Sequence, residues 1–246
     1  MTGAELLIAE KSIPLLEKGA GFLAKVGRKL DARMKYDFRQ AHIDYCCNII
    51  KKYCRARTFF IRSEPQFLED FYVPASILKR GRVRVPRANL TVLKKVGQRC
   101  IVTGSGGSGK TIFMRHLLLD AIERGVGYPV FIELRNLNDV ENIDLEGVIV
   151  QFMQDHGFPL SSEYAIKSLY DGLLVVLLDG FDEVLLSKRK YLEKAIKKLG
   201  AKSSSQIVIS SRPDMVLEGW DGFSTTCIAP LGIDEACELI DKVRFD

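Results

Sequence analysis

The sequence predicts an α/β protein: a parallel, five-stranded sheet flanked by helices and preceded by an α-helical region. Three observations predict it. From residue 99 onward, short apolar runs alternate with segments of helical periodicity, the pattern of strands joined by crossover helices. One run, Leu173 to Leu178, is apolar at every position, as a strand covered on both faces of a parallel sheet must be. The charge also changes sign along the chain. Residues 1–100 carry 21 Lys+Arg and 9 Asp+Glu, a balance of +12; the remainder carries 15 and 22, a balance of −7. Two regions with different surfaces therefore meet near residue 95.

The N-terminal region reads as helical over 4–62. Ile13, Leu16, Phe22, Leu23, Val26 and Leu30 recur at loose helical spacing, interrupted by Pro14, Gly19 and Gly21. A second helical segment, about 34–57, carries Phe38, Ile43, Cys47 and Ile50 with basic residues between them. Ser63-Glu64-Pro65 breaks it. Residues 71–95, with Pro74, Gly81 and Pro86, read as a connector with short extended pieces.

The strands and helices then follow in turn. Arg99 to Thr103 is a short apolar strand entering a glycine-rich turn, and 110–123 is a helix. Tyr128 to Leu134 is a second strand; 145–156 and 162–170 are helices. Leu173 to Leu178 is the third strand and 188–200 a Lys-rich amphipathic helix. Gln206 to Ser210 and Ser224 to Ile228 complete the five strands, and Ile233 to Val243 is a final helix.

Composition excludes several classes. With 47% hydrophobic and 27% charged residues, the chain is neither collagen-like nor a disordered acidic tail. The longest apolar run falls far short of the ~20 residues that a membrane span needs. Glu5 and Glu10 interrupt the first ten residues, so no secretory signal is legible there. Six cysteines (46, 47, 54, 100, 227 and 237) show no paired CxxC spacing, which argues against a zinc site and for reduced thiols in the cytoplasm. Cys46, Cys47 and Cys54, like Tyr45, Tyr53, Phe59 and Phe60, are expected in the core. His42, His116 and His156 have no nucleophile nearby in sequence and are assigned no role.

Gly104-Ser105-Gly106-Gly107-Ser108-Gly109-Lys110-Thr111 matches G-x-x-x-x-G-K-[ST], the P-loop, between a strand and a helix. The glycines let the backbone turn tightly and aim N–H groups at phosphate oxygens. The helix that follows presents its positive end to the same phosphates. Lys110 would reach the β- and γ-phosphates, and Thr111 would ligate Mg²⁺. Leu173 to Asp179 is an apolar strand ending in an acid, the Walker B pattern, whose Asp179 would hold the Mg²⁺ shell. Asp182 and Glu183 follow, and either carboxylate would orient the attacking water. Arg212, closing the fourth strand, would sense the γ-phosphate and stabilise its charge.

Together GSGGSGKT (104–111), PVFIELRNL (129–137), LLVVLLDGFDEV (173–184) and IVISSRP (207–213) resemble the NACHT class of STAND NTPases, an AAA+/STAND-like fold. In that class a small residue follows the Walker B Asp and further acids follow it, as Gly180, Asp182 and Glu183 do here; many AAA+ enzymes have Asp and Glu adjacent. Phe71-Tyr72-Val73-Pro74 is similar to the stretch preceding the domain in bacterial NACHT proteins. The resemblance covers roughly residues 70–240. It divides the chain into a basic helical region (1–70), a connector (71–95), a NACHT nucleotide-binding domain (96–230) and the opening of a following helical domain (231–246).

The resemblance implies a switch. ADP holds such proteins closed, while ATP exchange and a sensed ligand open them and let them oligomerise. Members act in anti-phage defence in bacteria and in innate immunity or cell death in animals and fungi. The family continues with further helices, a winged-helix domain and a sensor region. Leu231 to Ala236 is similar to the opening of the first of those helices, so the chain is expected to be a fragment or to lack the usual lid and sensor. The preference for ATP rests mostly on the resemblance, since Asn136-Leu137-Asn138-Asp139 lacks the Lys of a guanine-binding NKxD pattern.

Two other readings stay open. One is a P-loop small-molecule or nucleotide kinase, whose lid would have to be Lys188-Arg189-Lys190. The other is a nucleic-acid-binding ATPase module driven by the basic N-terminal part. Lys79 to Arg87, if extended, sets Arg82 and Arg84 on one face, able to meet phosphates of a nucleic acid or an anionic lipid, or to be an ordinary solvated strand.

Overall fold

A computed structural model describes residues 10, 13–14, 16–21, 32–57, 65–79, 83–158, 161–214, 217 and 219–243. Phe22, Leu23, Val26, Leu30, Phe59, Phe60 and Arg82 lie outside the described residues. The elements run in this order: α1 (Ala32–Tyr53), β1 (Arg55–Ala56), β2 (Gln66–Phe67), α2 (Leu68–Phe71), β3 (Ile77–Lys79), β4 (Val83–Val85), α3 (Leu90–Val96) and β5 (Arg99–Thr103). Then come α4 (Lys110–Glu123), β6 (Tyr128–Glu133), α5 (Leu145–Asp155), α6 (Ser162–Tyr170), β7 (Leu174–Asp179), α7 (Leu186–Lys202), β8 (Gln206–Ser211), β9 (Ser224–Ile228) and α8 (Ile233–Lys242).

The central sheet has seven strands, not the expected five, in the order β4-β3-β9-β5-β8-β7-β6. The five expected strands are its parallel part: β9-β5, β5-β8, β8-β7 and β7-β6 all pair in parallel. The two additional strands are the extended pieces of the segment read as a connector. Ile77 to Lys79 pairs antiparallel with Ile228 to Thr226 on one side and with Val85 to Val83 on the other. Three-residue strands carry little periodicity, so pairing with a partner about 150 residues away decides their state rather than local pattern.

β7 is buried at all six positions because it lies between β8 and β6 under helices. α4 lies against β6, β7 and β8 and against α1 and α3; α5 packs on β6, α6 and α7. β6 is the last strand of its edge, yet it is almost wholly buried. The aromatic face of α1 covers it. Tyr45 Oη donates to the Pro129 carbonyl at 2.5 Å, His42 Nδ1 meets Tyr128 Oη at 2.9 Å, and Tyr53 packs on Phe131. The helical N-terminal region thereby protects an edge that would otherwise invite pairing with another chain. Cys46 and Cys47 are buried on the same helix; Cys54, after its end, is half-buried.

One buried acid fixes the entry to β5. Asp120 of α4 accepts from the Leu90 N–H at 3.0 Å and from Arg124 Nε at 2.5 Å. Its charge is thus compensated where burial alone would be costly. Asn89 caps α3 by accepting from the Val92 N–H at 3.0 Å.

β5 is flanked by β8 on one side and β9 on the other, while the chain leaves it for β6 at the far edge. It is therefore the topological switch point of the parallel sheet, the position where ligands bind beyond the carboxyl ends of strands.

Candidate functional site

The loop leaving β5 carries the predicted glycine pattern, and its geometry needs it. Gly107 and Gly109 have φ of 76° and 81°, the left-handed region that glycine adopts without a Cβ penalty. Gly104 serves for a different reason: a Cβ there would crowd the Ser108 side chain. Lys110 opens α4, and its ammonium donates to the carbonyls of Gly104 and Ser105 at 2.8 and 2.9 Å. Two of its three donors fold back on the loop, leaving one for a ligand. Thr111 follows it, exposed.

Asp179 ends β7, level with the end of β8, and is buried. Ser210 holds it: the Ser210 hydroxyl donates to Asp179 Oδ1 and accepts from the Gly180 N–H at 2.8 Å. Gly180 has φ of 78°, which turns the chain sharply so that the next acids point back along the strand ends. Asp182 accepts from the Arg212 N–H at 3.0 Å and pairs with Arg212 Nε at 3.0 Å. Arg212 is otherwise 67% exposed, and its Nη2 lies beside the loop, 3.9 Å from where a Cβ of Gly106 would be. Glu183 sits at the surface with Arg135 Nη1 at 3.7 Å; Asn138 ties its carbonyl and the Leu185 N–H into the same turn.

These groups share one cleft of about 830 Å³. Ser105 to Thr111, Asp179, Asp182, Glu183 and Arg212 all line it; Gly104 lies behind, contributing the carbonyl that holds Lys110. The opposite wall comes from distant segments: Phe71, Tyr72 and Val73 before the sheet, Ile228 to Leu231 after β9, and Leu239 and Val243 at the C-terminal helix. A small apolar core of Ala56, Leu68, Phe71 and Val243, with Ile112 and Leu239 against it, braces that wall. Arg84 and Glu235 form an ion pair across it; Glu235 also accepts from Ser76 Oγ at 2.5 Å and from the Gly232 N–H at 2.7 Å, and Lys242 donates to the Tyr72 carbonyl at 2.9 Å. Burial works to raise the Glu235 pKa, but the hydrogen bonds and the Arg84 charge outweigh it and hold the carboxyl below its usual range.

The NACHT-domain family model matches residues 98–242, from the residue before β5 to the end of α8. The chain belongs to the NACHT-domain family. No curated protein matched the chain at a significant level. A NACHT domain is a nucleotide-binding P-loop NTPase of the STAND type, and the cleft at the switch point of the sheet is where such a nucleotide belongs.

The residues fit a nucleotide with Mg²⁺. Ser108 Oγ is buried with no hydrogen-bond partner among the described residues, in a loop where a methyl at Gly104 would crowd it. That is a cradle shaped for an acceptor-rich group such as phosphate. Thr111 hydroxyl and Asp179 carboxylate are the hard oxygen donors that Mg²⁺ prefers.

The sequence motifs led to the loop, Asp179, Asp182, Glu183 and Arg212. They did not reveal Ser210 as the holder of Asp179, though a small polar residue at the end of the strand beside Walker B was the available signal. Arg57 carried no local signal, and Tyr72 stood out only as part of Phe71-Tyr72-Val73-Pro74.

Proposed function

We propose that this NACHT domain binds ATP with Mg²⁺ in the cleft and acts as a nucleotide-controlled switch that hydrolyses ATP slowly and self-associates on activation. The carrying observation is that the P-loop, a buried acid and an acid–arginine pair converge at the carboxyl ends of β5, β7 and β8. In this reading the loop from Gly104 to Gly109 cradles the phosphates, and Lys110 gives its third donor to the β- and γ-phosphates. Thr111 and Asp179 hold the metal. When bound, Mg²⁺ would neutralise part of the phosphate charge. Asp182, or Glu183 beside it, orients the attacking water, and Arg212 turns its remaining donors to the charge that develops on the γ-phosphate.

The setting of the switch, innate immunity or anti-phage defence with a sensed ligand from a pathogen and a cytoplasmic location, is supported by the family resemblance. Among the described residues, no helix is long and apolar enough to cross a membrane. The kinase reading loses support from one observation. Lys188 donates to the Asn138 and Val140 carbonyls, and Arg189 to the Val184 and Asp182 carbonyls. These bonds pin the start of α7, whereas a kinase lid needs such cations free to close over phosphate. For the nucleic-acid reading, Arg84 is engaged with Glu235 and with the Pro230 carbonyl at 3.0 Å.

Sedimentation of the chain with ATP and with ADP, Mg²⁺ present in both, tests the switch. Larger assemblies with ATP than with ADP are expected. A mass indifferent to the nucleotide would overturn the switch while leaving nucleotide binding in place.

A further inference from the structure

Beside the main cleft is a second cavity of about 460 Å³, between β1 and the first turns of α4. Its described lining is Arg55, Ala56, Arg57, Pro65, Thr111, Ile112 and Arg115, three arginines without a carboxylate among them. Arg57, Thr111 and Ile112 line both cavities, so the two adjoin.

None of the three guanidinium groups has a carboxylate partner among the described residues. Arg115 donates through Nη1 to the Arg55 carbonyl at 2.9 Å, yet its Nε is buried with no partner among the described residues. The Arg55 guanidinium lies over the Phe67 ring at 4.4 Å, an arrangement that orients it without using its N–H groups. Arg57 has no acidic partner among the described residues. Arg55 and Arg57 are exposed, so solvent screens much of their mutual repulsion; the buried Arg115 N–H, without an acceptor among the described residues, is what calls for an anion beside them.

We propose that Arg55, Arg57 and Arg115 form a phosphate-binding pocket, the N-terminal region's own contribution to the nucleotide site. Planar guanidinium forks match phosphate oxygens in pairs, which gives this cluster its choice of ligand. The phosphoryl group has two sources: the nucleotide in the adjoining cleft, reached past Thr111, or a separate phosphate. The link to the nucleotide rests on the function proposed above; the anion chemistry of the pocket does not. In either case occupancy ties β1, and through it α1, to the first turn of α4, so the N-terminal region responds to phosphate at the site.

The test uses the full chain and two probes in titration calorimetry. Mg-ATP is titrated into the parent, Arg57→Gln and Arg115→Gln; inorganic pyrophosphate is titrated into Lys110→Ala with and without Arg57→Gln. Thermal unfolding of each variant checks the fold, and Arg57→Gln removes no described contact. Loss of about tenfold or more in ATP affinity with either arginine variant, the scale of a charge-assisted hydrogen bond, assigns the pocket to the nucleotide's phosphates. Pyrophosphate binding that survives Lys110→Ala and is lost on adding Arg57→Gln assigns it to a separate phosphate. ATP affinity unchanged in both arginine variants, together with no Arg57-dependent pyrophosphate binding, would overturn the pocket. The Lys110 variant reports on the loop and the arginine variants on the pocket, so failure of one reading is told from failure of the other.

Discussion

Asp182 and Arg212 meet twice: the carboxylate accepts from the Arg212 backbone N–H at 3.0 Å and pairs with the Arg212 side chain at 3.0 Å. The first contact fixes the turn after β7 against the end of β8. The second pairs the acid proposed to orient water with the cation proposed to stabilise charge, two roles that would act on the same γ-phosphate. An ion pair this exposed contributes little to stability. In the proposed function its consequence is kinetic, with the two side chains acting as a unit. Asp182→Asn and Arg212→Ala should each slow single-turnover ATP hydrolysis by about 100-fold, and the double variant should be hardly slower than either. Multiplying effects would mean that the two work independently.

Asp179 and Glu183 should separate by the parameter they change. Asp179 is buried at the end of the apolar strand, so Asp179→Ala should weaken the Mg²⁺-dependent part of ATP binding. Glu183 is a surface acid near Arg135, so Glu183→Gln should leave binding unchanged. Nucleotide titrations with and without Mg²⁺ decide this. If Asp179→Ala retains the full Mg²⁺ dependence, Asp179 is not the metal ligand.

Ser210 carries a structural load that its size conceals. Its hydroxyl satisfies the buried Gly180 N–H and the Asp179 carboxylate at once. Ser210→Ala strands both, at a cost of about 1–3 kcal/mol in urea unfolding. Ser210→Thr keeps the hydroxyl and should recover part of the loss. A Ser210→Ala protein as stable as the parent would show that these groups find other partners.

Acid should loosen the clamp between α8 and the strands before the P-loop. The folded-state pKa of Glu235 lies below its ordinary 4.5, so its contribution is fully present above that value and is lost as pH falls through the folded value. Unfolding of the parent and Glu235→Gln compared across pH reads this directly. The gap between them should be constant near neutrality and shrink below about pH 4.5. A gap that persists in strong acid would mean that packing, not the Glu235 charge, holds α8.

What the sequence made legible follows from how local each signal is. The P-loop, β7 and Asp179 could be read because their logic is contained in eight or seven consecutive residues. The parallel strands could be read because each is long enough to show its pattern. β3 and β4 could not be placed in the sheet, since Leu78 is made a strand by Cys227 and Arg84. The basic excess of the N-terminal part was legible as a number but not as a use. Arg84 and Arg87 face Glu235 and Glu238 of α8, across some 150 residues, so part of the asymmetry is compensated within the fold. Ser210 and Arg57 gain their places only when β8 meets β7 and β1 meets α4.

The central claim is that nucleotide binds at the P-loop cleft through Lys110. The most direct measurement is calorimetric titration of Mg-ATP into the parent and into Lys110→Ala, with thermal unfolding of both. Among the described residues Lys110 bonds only to the carbonyls of its own loop, so its loss should leave the unfolding temperature unchanged. One-site binding in the parent and none detectable in the equally stable variant is the result expected. Lys110→Ala protein that binds Mg-ATP with the parent's affinity would contradict the account.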